Sequence, residues 1–183
     1  IGNNAFSGCR SLTSIAIPNS VMTIGESSFY GCGFSKIDIP SSVISIGASA
    51  FKSCSNLENV SINANIDYIQ PYLFSGCENL LNVSIPRSVT RIGIQAFRNC
   101  TNLENIVIPD CVTSIDDRAF EYCSNLKLET LPKELKSIGL QAFGVCQSLT
   151  SIVIPKGVET IGSAAFYDCI NLTSVYVRNP NPI

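Results

Sequence analysis

The sequence of 183 residues contains no histidine, and charged side chains make up only 14% of it. Histidine is the most common general base and a frequent metal ligand, so its absence excludes Ser-His-Asp and Cys-His catalysis. Asp116 and Asp117 are the only adjacent carboxylates, and a solvated corner explains them better than an acid/base pair. The glycines are dispersed and form no phosphate-binding loop. We therefore expect no enzyme activity, no cofactor and no metal site in this chain.

Clusters of charge and long apolar runs are also missing. The 12 Lys and Arg residues and 14 Asp and Glu residues give a net charge of −2, and the basic residues are scattered singly. A nucleic-acid-binding surface needs a basic patch, and a transmembrane helix needs roughly 20 consecutive apolar residues. We therefore expect no nucleic-acid partner and no membrane insertion. Hydrophobic residues make up 45% of the chain, which is enough for a large core.

An internal repeat of about 23 residues is the main feature that is present. Each unit carries an isoleucine, at Ile1, Ile24, Ile46, Ile69, Ile92, Ile115, Ile138 and Ile161. Phenylalanine follows five residues later, at Phe6, Phe29, Phe51, Phe74, Phe97, Phe120, Phe143 and Phe166. Cysteine comes three residues after that, at Cys9, Cys32, Cys54, Cys77, Cys100, Cys123, Cys146 and Cys169. Since one unit cannot bury its apolar side alone, neighbouring units must stack as coils around one continuous core.

The pattern inside a unit predicts two short extended segments and a turn. Alternation over residues 106–108 predicts a strand whose two isoleucines face inward. Pro109 then ends this strand because proline has no N–H to donate. A second extended segment covers residues 112–115, and the glycine that follows it in most units suits a positive φ or a close backbone approach. The A-F-x-x-C segment has the spacing of one helical or 3₁₀ turn.

This unit resembles the BspA-like, or Treponema pallidum type, leucine-rich repeat family, and the resemblance covers essentially the whole chain. It implies an α/β-type leucine-rich repeat solenoid of about eight coils of 23 residues. A parallel β-sheet would lie on the concave side, with short turns or 3₁₀ pieces on the other. We expect residues 1–183 to form a single domain. The resemblance also implies proteins displayed on bacterial or protozoan surfaces, some of which are adhesins that bind host or matrix proteins.

Three units depart from the pattern. The fourth unit has Gln70-Pro71 where glycine usually follows the isoleucine, and the strand before it ends in Asn63 where proline is usual. The second unit has one residue fewer between Cys32 and Ile37, with Phe34 near the usual leucine, so we expect a small kink or a tightened turn. The sixth unit places Glu129 where a core residue is expected. Because burying an unpaired carboxylate is costly, we predict a bulge or register adjustment that turns Leu128 inward and Glu129 outward.

Nine cysteines allow a disulfide, zinc or buried-thiol interpretation. Cysteines stacked in successive coils would have parallel Cβ atoms nearly 5 Å apart, whereas a disulfide needs them about 3.8 Å apart and tilted together. Free cysteine also packs as a small hydrophobic residue, so we favour reduced, buried thiols. Cys111 stands outside the repeat pattern, and both an exposed reactive thiol and an inert half-buried one remain open for it.

Residues that flank and separate the inward strand residues must face solvent on the sheet. They form two stripes that we predict to bind a partner: Ser14, Ala16, Lys36, Asp38, Asn59, Ser61, Asn82, Ser84, Asn105, Val107, Thr130, Ser151, Val153, Ser174 and Tyr176. A looser third stripe follows the prolines through Asn19, Ser41, Arg87, Asp110, Lys133 and Lys156. The alternative is that these are small, β-compatible residues that only keep the sheet soluble.

The chain begins inside a unit and ends at Arg178–Ile183, and neither end has the polar character of a capping repeat. We expect a fragment of a longer protein, or ends that associate with another molecule. The leading functional hypothesis is a cell-surface or secreted module that binds a host or matrix protein. A cytoplasmic scaffold, in which free thiols are ordinary, is the alternative, and a substrate-holding domain of a larger enzyme is a third.

Overall fold

The structure is a computed structural model that describes residues 1–178. It is a β-solenoid of about seven turns of roughly 23 residues, close to the predicted number of eight. Each complete coil has a long-strand side and a short-strand side. The long strands are β2 (Lys36–Ile39), β4 (Asn59–Ile62), β6 (Asn82–Ser84), β10 (Ser151–Ile154) and β12 (Ser174–Val177). The short strands are β1 (Thr23–Ile24), β3 (Ser45–Ile46), β5 (Tyr68–Ile69), β7 (Arg91–Ile92), β8 (Ser114–Ile115), β9 (Ser137–Ile138) and β11 (Thr160–Ile161).

All strands pair in parallel, and each strand pairs with its equivalent in a neighbouring coil. On the long-strand side the order is β2-β4-β6 in one sheet and β10-β12 in another. On the short-strand side it is β1-β3 and β5-β7-β8-β9-β11. The register matches like positions, such as Asn59 with Asn82 and Ser151 with Ser174. The repeat length therefore sets the register, because every coil returns to the same place after one unit.

The A-F-x-x-C segment consists of turns, and residues 1–178 contain neither α-helix nor 3₁₀-helix. Ser49 and Ser53, which flank Phe51, have φ values of 57° and 59°, and a right-handed helical turn requires negative φ. The N–H of Phe51 consequently points to the next coil and donates to the Leu73 carbonyl at 3.1 Å. The N–H of Cys54 instead closes a turn onto the Phe51 carbonyl at 3.3 Å. The turns thus add a third ladder of hydrogen bonds between coils.

Stacked columns of identical side chains fill the interior. The eight phenylalanines of the repeat stack face to face, with ring centroids 5.2 to 5.7 Å apart and interplanar angles between 2° and 22°. Phe97, in the middle, is completely buried, whereas Phe6 at the end of the stack is 37% exposed. Columns of isoleucine, leucine, alanine and cysteine surround the rings. The predicted interior columns are therefore present.

Both predicted irregularities have a structural counterpart. Phe34 is fully buried and packs edge-on against Phe29 at 5.9 Å, in place of the usual leucine. The shortened turn presses Gly33 against the preceding coil, where a Cβ would lie 1.9 Å from the Arg10 carbonyl oxygen. In the sixth unit Leu128 is buried and Glu129 is exposed, as predicted.

The glycine that follows most of the short strands serves close packing between coils. At Gly47 a Cβ would lie 2.4 Å from the backbone nitrogen of Glu26, and at Gly139 it would lie 2.4 Å from that of Asp117. Neither glycine has a positive φ. Of the two explanations given by the sequence, close backbone approach is the one that applies here.

Two ends of the stack expose core positions. Phe6 is 37% exposed, and Val175 and Val177 of β12 are each 49% exposed. Part of the C-terminal end for which the sequence suggests association, residues 179–183, lies outside the described residues.

Replacing Phe97 with alanine should lower the free energy of unfolding by about 3–5 kcal/mol, because the residue is fully buried between two stacked rings. Urea denaturation followed by circular dichroism measures this loss. Phe6→Ala is the matched control and should cost clearly less, since that ring stacks on one side only. An unchanged midpoint for Phe97→Ala would contradict the buried stack.

Replacing Gly47 with alanine should destabilise the solenoid by about 1–3 kcal/mol, because the added methyl group would collide with the backbone of the preceding coil. Gly2→Ala is the control, since no atom lies within 4 Å of a Cβ at that position. The same denaturation experiment applies. Equal stability of the two variants would show that coil spacing does not depend on this glycine column.

Candidate protein-interaction face

The side chains of the long-strand side form the candidate site, which we call the long-strand face. It comprises the fifteen predicted residues, and none of them belongs to the buried core. Most lie on regular strands. Ser14, Ala16, Asn105, Val107 and Thr130 are exposed but lie outside them, so the continuous sheet predicted from the sequence is present only in two parts.

One half of the face is polar and internally paired. The Lys36 ammonium lies 3.0 Å from the Asp38 carboxylate, and both side chains are more than half exposed. The hydrogen bond from Lys36 lowers the pKa of Asp38 below its ordinary value. In the next coils the Asn82 side chain donates to the Asn59 side chain at 3.1 Å. These contacts use part of the hydrogen-bonding capacity of the four side chains within the protein itself.

The other half of the face exposes apolar side chains. Val107 is 83% exposed and Tyr176 is 60% exposed, while Val153 is half-buried. Protein interfaces are built around such apolar and aromatic anchors within a polar surround. This half of the face is therefore the better candidate for a contact surface.

The strand ladder on this side is broken next to Val107. Val107 forms a single bridge with Ser84, and Thr130 forms a single bridge with Val153. Over residues 1–178, no strand pairing joins Val107 to Thr130, although the repeat places them in adjacent coils. Backbone hydrogen bonds join the two coils on both sides of this break. The N–H of Lys127 donates to the Glu104 carbonyl at 2.8 Å, and the N–H of Glu134 donates to the Asp110 carbonyl at 3.1 Å. The break is thus a local interruption of the strand ladder between coils that stay bonded on both sides of it.

The opening coincides with the irregular sixth unit. There Leu128 is buried and Glu129 is exposed, so the inward position has moved by one residue, and regular pairing is first seen again in the bridge from Thr130 to Val153. The sequence signals the bulge through Glu129, yet it does not show that pairing is lost on the side facing Val107.

Two adjoining grooves flank the opening. One, of about 510 Å³, is lined by Arg87, Val107, Ile108, Pro109, Asp110 and Cys111. The other, of about 650 Å³, is lined by Asp110, Thr130, Leu131, Lys133, Glu134, Val153, Pro155, Lys156 and Arg178. They share Asp110 and unite the third predicted stripe with the two apolar valines. Leu131, Glu134, Pro155 and Arg178 were not predicted, because their positions follow from how the coils pack and not from the strand alternation.

The adjacent carboxylates diverge towards different partners. Asp116 is buried and accepts hydrogen bonds from Arg91 Nε at 2.9 Å and from Ser114 Oγ at 2.7 Å. The Asp117 carboxylate instead accepts the backbone N–H of Leu140 at 2.8 Å. Each carboxylate is held by the neighbouring structure, so the two do not form an acid/base pair.

The cysteine column is reduced and tied to the phenylalanine column. Seven thiols lie 3.1 to 3.2 Å from the carbonyl oxygen of a phenylalanine in the preceding coil and donate to it. All nine cysteines are free. Burial raises the pKa of Cys54 and of Cys123 to about 12. Protonated thiols that are hydrogen-bonded in the core have a structural role.

Two cysteines differ from this pattern. Cys9 is exposed, contrary to the prediction that the whole column is buried. It lies in the first described coil, so no preceding coil packs against it. Cys111 is half-buried, and its sulfur lies 2.9 Å from the Arg87 carbonyl oxygen at the edge of the smaller groove.

The repeat of this chain matches a known family of leucine-rich repeats. A family described as "BspA type Leucine rich repeat region" matches residues 1–127 and 68–181 with six copies of its repeat. The chain belongs to this family. Its leucine-rich repeats are generally a non-enzymatic scaffold for protein–protein interaction. No curated protein matches the sequence.

Solved leucine-rich repeat structures share this BspA-type fold. A protein from Bacteroides ovatus is 33% identical, with a TM-score of 0.88, over 98% of this chain and 46% of its own. The Treponema pallidum leucine-rich repeat protein is 29% identical, with a TM-score of 0.75, over 79% of this chain and 71% of its own. A leucine-rich cell surface protein from Faecalibacterium prausnitzii is 27% identical, with a TM-score of 0.67, over 98% of this chain and 57% of its own. The chain thus spans about half the length of the Bacteroides protein.

Residues 1–178 contain no group of three or more Cys, Asp or Glu side chains that could hold a metal ion. Within the same residues, no helix has the length and apolar character needed to cross a membrane.

At pH 8 only Cys9 and Cys111 should react with a thiol reagent before the protein unfolds. Thiolate is the reactive form, and burial holds the pKa of the column thiols far above this pH. Labelling with Ellman's reagent counts the accessible thiols in the native protein and all the thiols in urea. Cys9→Ser should remove one rapid equivalent and leave stability unchanged. Rapid native labelling of any of the other seven cysteines would disprove the buried column.

Proposed function

We propose that this chain is a non-catalytic protein-interaction module, displayed at the cell surface or secreted, that binds a host or matrix protein through its long-strand face. The single observation that carries the proposal is the exposure of Val107, which lines one open groove, while Val153, two coils further along, lines the adjoining groove. A valine side chain that is 83% exposed contributes little hydrophobic stabilisation to the fold. Burying it against a partner removes apolar surface from water, which is favourable.

The rest of the molecule supports a binding role over a catalytic one. The chain has no histidine, its one pair of adjacent carboxylates is separated by bonding, and its buried thiols are protonated. A stacked solenoid presents a long surface whose solvent-facing side chains are free to vary, since the inward columns alone maintain the fold. Such a surface suits recognition of a large partner.

The cell-surface location draws on the relatives. The Faecalibacterium prausnitzii structure is described as a cell surface protein. A cytoplasmic scaffold is the second candidate, because nine free cysteines without a disulfide are typical of a reducing compartment. An antibody against the chain, applied to intact and to permeabilised cells of the organism that makes it, separates the two. Staining only after permeabilisation would favour the scaffold.

Binding to purified host matrix proteins immobilised on a sensor surface tests the interaction. The variant Val107→Glu/Val153→Glu should weaken binding at least about tenfold, because it places two charges in the apolar part of the face. Ile44→Glu is the matched control: Ile44 is 62% exposed and lies outside the long-strand face, so this variant should bind within about twofold of the parent chain.

Three results would count against parts of the proposal. If no matrix protein binds, the matrix-binding role is wrong. If the double valine variant binds as tightly as the parent, the site lies elsewhere on the solenoid. If Ile44→Glu weakens binding equally, the loss reflects a general effect of charge. Thermal melting of each variant confirms that the fold is retained.

A further inference from the structure

The grooves beside the ladder opening carry a row of charged residues with a regular spacing. Arg87, Asp110, Lys133 and Lys156 occupy the same position in four successive coils, each 23 residues after the last. With adjacent parallel strands roughly 4.8 Å apart, the row extends over about 14 Å along the solenoid. An extended polypeptide covers that distance with about four residues.

The row is positively charged on a chain that is negative overall. Four basic residues line the two grooves, Arg87, Lys133, Lys156 and Arg178, against two acidic ones, Asp110 and Glu134. The difference, four minus two, is +2, whereas the net charge of the whole chain is −2. Basic residues are otherwise scattered, so this is a local concentration that attracts an anionic ligand.

Some of this charge is not used within the protein. Lys133 pairs with Asp110 across neighbouring coils. Among residues 1–178, neither Arg87 nor Lys156 forms an ion pair with an acidic side chain. These two cations stand at opposite ends of the row, three coils apart, and they are available to carboxylates on a ligand.

The lining between the two cations has an apolar part beside the paired charges of Asp110 and Lys133. Val107 and Val153 stand on the strand side of the row, and Leu131 and Pro155 line the larger groove with them. Single-stranded nucleic acids are bound by aromatic stacking platforms, and no aromatic side chain lines either groove. A sulfated polysaccharide has no apolar side chain to place against the valines. A polypeptide with both acidic and aliphatic side chains matches both parts of the lining.

The ladder opening favours a polypeptide for a second reason. Where Val107 and Thr130 do not pair, strand backbone groups lack the neighbour they have in every regular pair of coils. Backbone N–H and C=O groups need partners, and the backbone of an extended peptide supplies both donors and acceptors. A short segment that lies across the opening can therefore bond there while its side chains reach the row.

We propose that the grooves between Arg87 and Lys156 bind an extended acidic segment of a protein partner, with its carboxylates on Arg87 and Lys156 and aliphatic side chains against Val107 and Val153. This deepens the proposed function, on which it rests, by stating the chemistry of the partner. It also assigns the third stripe a role in specificity, because the cations select the charge of the segment while the valines supply apolar contact.

Fluorescence anisotropy with labelled synthetic peptides of about eight residues tests the proposal, since this length exceeds the span of the row. The probe alternates Asp or Glu with Val or Leu. A second peptide replaces the acidic residues with Lys, and a third replaces the aliphatic residues with Ser. The acidic, aliphatic peptide should bind most tightly to the chain, and its affinity should fall as salt is raised. The lysine peptide should not bind.

The variant Arg87→Glu/Lys156→Glu should weaken binding of the acidic peptide at least about tenfold. Lys52→Glu is the matched control, since Lys52 lies over the Tyr72 ring far from the row in sequence and outside both grooves, and it should change affinity less than about twofold. Equal binding of the acidic and lysine peptides, or an unaffected Arg87→Glu/Lys156→Glu variant, would overturn the proposal. Preferential displacement of the probe by heparin or by a single-stranded oligonucleotide would overturn it as well.

The two double variants distinguish a failure of the acidic-segment proposal from a failure of the proposed function. If the double valine variant loses binding to a matrix protein while the double charge variant keeps it, the long-strand face binds proteins and the acidic-segment proposal alone is wrong. If the acidic peptide binds as expected and no matrix protein does, the groove chemistry holds and the matrix-binding role is wrong.

Discussion

Every part of this molecule depends on the contact between one coil and the next. Each coil repeats the same inward side chains at equivalent positions, so phenylalanine stacks on phenylalanine. Every column thiol after Cys9 donates to a phenylalanine carbonyl of the preceding coil. Three ladders of backbone bonds, on the long strands, the short strands and the turns, fix the same spacing. A coil has no core of its own, and its stability comes from its two neighbours.

This constraint explains which residues are free to change. A residue at an inward position must match the size of its equivalents above and below, and a glycine after the short strand must leave room for the neighbouring backbone. Departures are therefore compensated locally, as Phe34 compensates for a missing leucine. Side chains that point outward meet no such requirement. The long-strand face can consequently vary in charge and shape while the solenoid beneath it stays the same.

Buried carboxylates show how the stack accommodates polar residues. Asp116 occupies a position that is glycine in most coils, and Arg91 of the preceding coil neutralises it. Glu121 is likewise nearly buried and pairs with Arg98, which also lies over the Tyr122 ring at 5.1 Å. Both pairs join adjacent coils, and removing one partner would leave a buried charge without compensation. Such pairs hold neighbouring coils in a defined order, in addition to the apolar columns.

The sequence by itself determined the repeat, the inward columns and the outward position of Glu129. These follow from spacing, because a residue that recurs once per coil at an apolar position has to face the core. The same spacing identified the fifteen solvent-facing residues of the long-strand face, although not what they bind. Only the tertiary structure decided that the A-F-x-x-C segment forms turns with positive φ, since its spacing alone is equally compatible with one turn of helix. The break between Val107 and Thr130, and the grooves it joins, also required the structure, because they arise from how one irregular coil meets its neighbour and not from any single coil.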